Sequence, residues 1–254
     1  MTANDPPSAP RESISLERAL DLLAHGEIAL QGQFPWSSNY TFLVSLSDAA
    51  SRLLAVYKPT EGERPLWDFD PGSLCRREVA AYLLSQALSW PDIPPVVLRD
   101  GPFGVGSVQL FVEADYEQHY FTLRQRPELT PAFQRIALFD HIANNADRKG
   151  GHVLLGAEGV IWAIDHGLTF HNEYKLRTVI WEHAGRPIPP EWLAELAELR
   201  VTLAAEDAPL RQALLQLLSP PEVVALRARL NLLLRRGVFP LPRRDWRNTP
   251  YPLV

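Results

Sequence analysis

HIANNADRKGGHVLL at residues 141–155, the turn GAEG at 156–159 and VIWAIDHG at 160–167 decide how this chain is read. The first stretch closes a run from Pro131 with apolar residues at helical spacing, and Pro131 falls in the first turn, where its missing N–H costs nothing. The polar run NNADRKGG ends that helix. Two short apolar runs follow, expected as paired strands over 152–155 and 160–164, with the Gly-containing turn reversing the chain. Such a hairpin returns the end of its second strand to the start of its first, so Asp165 comes back beside Asp147. Two neighbouring carboxylates repel unless a cation sits between or beside them. Plain capping is the blander alternative, with Asp147 bound to turn amides and Asp165 paired to Arg148.

Outward from this segment the chain is strand-rich before it and helix-rich after it. Residues 1–11 are Pro, Ser and Ala rich and expected to form a disordered tail, after which ISLERALDLLAHG has helical periodicity and a terminal Gly. EIALQGQFPWSSNYTFLVSL alternates and carries β-branched and aromatic residues, with a loop expected over 32–39, and SRLLAVYKP predicts a strand ended by Pro59. Residues 60–72 read as a loop. SLCRREVAAYLLSQAL returns to helical spacing with Ser73 as N-cap, and PPVVLRDGPFGVGSVQLFVEA predicts two strands about a turn. Beyond residue 190, EWLAELAELRVTLAAE, APLRQALLQLLS and PEVVALRARLNLLLRRG read as helices, and FPLPRRDWRNTPYPLV as an extended, proline-punctuated tail. The expected organisation is α+β: a sheet-containing lobe over 12–113 and a helical lobe over 114–254, with chemistry at their junction.

Composition narrows the classes of function. With 254 residues, 46% of them hydrophobic, the chain can bury a substantial core. A formal charge of −5 without a basic run argues against nucleic acid as a partner and against stable association with an anionic membrane. Cys75 is the single cysteine, so neither an internal disulfide nor a cysteine zinc cage can form. MTANDPPSAPRES lacks the charged and apolar regions of a secretory leader, and the expected location is cytoplasmic.

Lys58 ends an apolar strand, which would deliver its ammonium to a fixed point above the sheet. Glu78 has Leu74, Ala81 and Tyr82 at i−4, i+3 and i+4, so it shares the face that should be buried. A buried carboxylate needs a cationic partner or a raised pKa. Lys58 is the natural partner, with Arg76 and Arg77 available for surface pairs instead.

Phosphoryl transfer asks for this kind of set: a lysine on the phosphates, a carboxylate to hold it, metal-binding carboxylates and a group that positions the acceptor hydroxyl. NNADRKGGHVLL followed by IDHG resembles the catalytic loop and metal motif of the phosphatidylinositol 3- and 4-kinase-like bacterial proteins, relatives of the protein-kinase fold. The resemblance covers roughly residues 32–170. It implies a bilobal protein-kinase-like fold and a kinase, a transferase that binds ATP with magnesium or manganese and moves the γ-phosphate to a hydroxyl of a small molecule or protein. It assigns Asp147 and Arg148 to catalysis, the latter offsetting charge at the moving phosphoryl group. Lys58 and Glu78 would hold the phosphates, Ser37, Ser38 and Asn39 would donate to them, Gln109 and Phe111 would lie at the adenine hinge, and Asp165 and His152 would bind metal. Two departures stand out: His152 occupies the place of the asparagine that holds a second magnesium, and GQFPWSSN has one glycine where protein kinases have three. The first leaves a nucleotide-binding pseudokinase open, and nucleotidyl transfer with ATP reversed is a further alternative. His141, His152, His166 and His171 lack HxH or HExxH spacing, which speaks against a zinc hydrolase.

Overall fold

Ser15 accepts a hydrogen bond from the Arg18 N–H (3.2 Å) and starts α1, Leu16–His25, whose Ala19, Leu22 and Leu23 share one buried face. In the computed structural model residues 14–34 and 39–254 are described; the expected tail at 1–11 and the loop residues Ser37 and Ser38 lie outside them. That α1 face packs on an antiparallel sheet of β1 (Glu27–Gln33), β2 (Phe42–Ser47), β3 (Arg52–Pro59), β4 (Val96–Gly101) and β5 (Gly104–Leu110), in the order β1-β2-β3-β5-β4. Burial alternates along β3 as the strand period requires: Leu53, Ala55 and Tyr57 join the α1 face, and Val56 and Lys58 point the other way. Register sets Val56 opposite Gln109 and Lys58 opposite Ser107. At Gly106 the strands come so close that a Cβ would stand 2.4 Å from the Lys58 carbonyl oxygen.

The second helix, α2 (Leu74–Leu88), is buried around most of its circumference. Ser73 precedes it but makes no capping bond; the Cys75 N–H is received instead by Glu63 Oε1 at 3.1 Å. Arg77 is not a surface residue as its neighbours in sequence suggest. Its guanidinium is buried, donating to the Thr169 carbonyl and to Glu222 Oε1, both at 2.5 Å.

The helical lobe begins with α3 (Tyr120–Leu123), a single turn the sequence pattern does not announce, and α4 (Thr130–Ala143), which ends at Asn144 in the left-handed conformation. The hairpin follows as β6 (Val153–Leu155) and β7 (Ile161–Ala163), then α5 (Pro190–Ala204), α6 (Pro209–Leu217) and α7 (Pro220–Arg236). One apolar core runs from α2 through α4 to α5, α6 and α7. The architecture is therefore α+β, with the antiparallel sheet in its first part and helices in its second. Among the described residues no helix is long and apolar enough to cross a membrane.

Candidate active site

A cavity of about 500 Å³ opens between the sheet and the hairpin, a size that accepts a small molecule. Its apolar wall comes from Val56, Leu110, Val112, Leu154 and Ile164, and Lys58, Glu78, Asp147, His152 and Asp165 gather along its polar side. Gln109 and Phe111 line it as well, and the buried Gln109 amide nitrogen has no hydrogen-bond partner. Asn39 reaches the rim with its side-chain oxygen taken by the Arg64 N–H at 2.8 Å.

Lys58 Nζ lies 2.5 Å from Glu78 Oε1 and 3.0 Å from Asp165 Oδ1. Burial opposes its charge, but Asp165 and Glu78 outweigh that cost and hold the ammonium above its ordinary pKa range. The other Glu78 oxygen accepts the His166 N–H at 2.8 Å, so one buried carboxylate ties β3 to the DHG segment. Asp165 itself sits at φ 60°, a left-handed conformation that a non-glycine residue holds only when its surroundings impose it. Burial raises its pKa, yet Lys58 and then His152 prevail and keep it far below the usual carboxylate range.

His152 Nε2 stands 3.2 Å from Asp165 Oδ2, and its Nδ1 receives a long bond from the Lys149 N–H at 3.4 Å. The ring proton therefore belongs on Nε2, donated to Asp165. Burial pushes the imidazole down to about 4, so it is neutral at pH 7. Asp147 is pushed the other way, up to about 6, by burial, with Lys149 Nζ 3.4 Å away opposing the shift. Its own N–H is received by Asn145 Oδ1 at 2.9 Å. The side chain is left to the cavity.

Arg148 requires a correction. It is fully buried and faces away from the cavity, so it cannot meet a phosphoryl group there. Its Nε lies 3.0 Å from Asp140 Oδ2, and its other nitrogens donate to the Ile164 carbonyl (2.7 Å), the His152 carbonyl (3.2 Å) and His166 Nε2 (2.7 Å). The capping alternative fails with it, because Asp165 turns to Lys58 and His152. The arginine instead joins α4, the loop after Asp147 and the DHG segment from behind. Sequence reasoning missed Asp140 as its ion-pair partner and Lys149 as the cation beside Asp147. Asp140 gave a signal, a carboxylate that shares its helix face with Phe133, Ile136, Ala137 and Ala143. Lys149, beside Asp147, gave none that distinguishes it from a solvated loop cation.

Among the described residues no three His, Cys, Asp or Glu side chains converge as a metal cage. The carboxylate oxygens of Asp147 and Asp165 suit a hard cation that takes its remaining ligands from water and phosphate, whereas His152, expected as a metal ligand, has Nε2 turned to Asp165 and Nδ1 to the Lys149 N–H. Ser37 and Ser38, expected over the phosphates, fall outside the described residues.

No protein-family model matches the chain. It is 38% identical over 264 residues to Protein Rv2133c of Mycobacterium tuberculosis, across 91% of this chain and 94% of that protein. It is 29% identical over 162 residues to Phosphatidylinositol 4-kinase gamma 4 of Oryza sativa subsp. japonica, across 55% of this chain and 28% of that longer protein. Among solved structures, the Helicobacter pylori proinflammatory kinase CtkA superposes with a TM-score of 0.47 at 12% identity, over 85% of this chain and 94% of that one.

Proposed function

The chain belongs to the family of Protein Rv2133c, and from the geometry of its cavity we propose that it is an ATP-dependent phosphotransferase, moving the γ-phosphate of ATP to a hydroxyl of a small-molecule or protein acceptor. The observation that carries this is Lys58, held between Glu78 and Asp165 at the polar side of a 500 Å³ cavity. The partial likeness to a phosphatidylinositol 4-kinase supports a transferase of that broad class.

In this reading adenine enters between Val56 and Leu154 near Gln109 and Phe111, and Lys58 leaves Asp165 to meet the phosphates while Glu78 keeps it in place. Magnesium, held by Asp165 with His152 beside it, would supply positive charge against the phosphate oxygens. Asp147 accepts the acceptor's hydroxyl proton as the new O–P bond forms and the bond to the β-phosphate oxygen breaks, releasing ADP. A carboxylate with a pKa near 6 suits that task at neutral pH. Lys149 stands close enough to offset the charge that gathers there.

The products of an incubation with ATP, magnesium and a cytosolic extract test this. ADP together with a phosphorylated acceptor supports it; AMP with pyrophosphate indicates nucleotidyl transfer, and nucleotide left intact removes the transferase. One observation favours a second reading, a nucleotide-binding pseudokinase: both Asp165 oxygens are engaged, one by Lys58 and one by His152. Turnover that appears only in His152→Asn would point there.

A further inference from the structure

The loop between Asp147 and His152 contains Gly150 and Gly151, two residues with more backbone freedom than any other pair. A loop that must present a carboxylate needs something outside it to select one conformation. Three layers of backbone do so here. Arg177 donates its N–H to the Asn145 carbonyl (2.9 Å), Arg148 donates to the Arg177 carbonyl (3.0 Å), and Val179 donates to the Arg148 carbonyl (3.1 Å). Segment 177–179 is held in turn by the tail. The Asn248 carbonyl accepts from the Thr178 N–H (2.9 Å) and from Trp181 Nε1 (3.0 Å), and Trp246 Nε1 donates to the Leu176 carbonyl (3.0 Å) with the Arg177 guanidinium over its ring. The chain then returns to the loop itself, where the buried Gly150 N–H donates to the Leu253 carbonyl at 2.7 Å. A Cβ on Gly150 would strike the Phe121 ring at 2.8 Å, so the loop is walled on that side too.

From this arrangement we infer that residues 246–254 are a positioning element of the reaction: they clamp the Gly150–Gly151 turn and thereby fix Asp147 for the acceptor. The inference rests on the proposed role of Asp147. None of the tail residues lines the cavity, so the clamp acts through the loop and not by contact with nucleotide or acceptor. Leu253 and Val254 are exposed, and their removal leaves the core untouched.

The test compares the full chain with a variant lacking Leu253 and Val254 and with Trp246→Phe, which keeps an aromatic side chain but loses the indole donor. Two quantities are measured: amide hydrogen exchange at Gly150 and Gly151, and ADP formation from ATP and magnesium with water as acceptor. The shortened variant should exchange at Gly150 about tenfold faster, and Trp246→Phe about threefold faster, with β3 and α2 amides unchanged. The kcat should fall about tenfold in the shortened variant while the nucleotide KM stays within about twofold. Unchanged exchange overturns the clamp, and faster exchange without a fall in kcat overturns its part in the reaction. A wild-type protein that forms ADP neither with water nor with a cytosolic extract removes the proposed function instead, and exchange alone then decides whether the tail holds the loop.

Discussion

Asp147 makes the sharpest statement at the scale of a single residue, because its environment works against its charge. A carboxyl raised from 3.8 to about 6 loses stability on ionising, so the fold pays for it as pH rises from about 4 through 6. Asp147→Asn should therefore melt higher than wild type above pH 6 and no higher at pH 4, as calorimetry at the two pH values will read. Turnover should move oppositely, falling in wild type as pH drops through about 6 and falling about a hundredfold or more in Asp147→Asn at pH 7.5. Lys58 is the complementary case. Lys58→Met strands the buried Glu78 carboxylate and should cost about 3 kcal/mol in urea unfolding, with part of it restored by adding Glu78→Gln. The pairing of Lys58 with Glu78 was legible in sequence because a carboxylate on an apolar helix face demands a cation. The direction of Arg148 was not, since adjacent loop residues point in directions that only the folded backbone fixes.

Among the elements, β3 decides where the chemistry sits. That a strand carries Lys58 at its end was readable in LLAVYKP, but its alternation of buried and half-buried residues, which sends Lys58 to the cavity face while Tyr57 enters the core under α1, was not. Nor could it be read how closely β5 approaches. Gly106→Ala would press a methyl against the Lys58 carbonyl, the Tyr57 ring and Pro59, moving β3 and the ammonium it carries. The expected loss is about 2 kcal/mol of stability, with weaker nucleotide binding and an unchanged helical lobe by amide exchange. The hairpin of β6 and β7 was likewise legible from its two apolar runs and Gly-flanked turn. The short α3 was not, because a four-residue turn is too brief for periodicity to register.

On the scale of the whole molecule, α2 is the beam that joins the two parts. It carries Glu78 to Lys58 on one side and, through Arg77, reaches Glu222 of α7 on another. Arg77→Met should leave Glu222 buried and unpaired, lower stability by about 3 kcal/mol, and loosen sheet and helices together in one transition. The division into a strand-rich and a helix-rich part was visible in composition. The long-range ties that close the fold were not, because Arg77 with Glu222 and Gly150 with Leu253 each join residues about a hundred or more positions apart, one through side chains and the other through backbone groups that every residue shares. In the proposed function Lys58, held by Glu78 and Asp165, marks a nucleotide site. Calorimetric titration of ATP with magnesium into wild type and Lys58→Met tests it most directly. Saturable binding in wild type that weakens at least about tenfold in the variant is the predicted result; no heat at millimolar nucleotide, or equal affinity in both proteins, would contradict it.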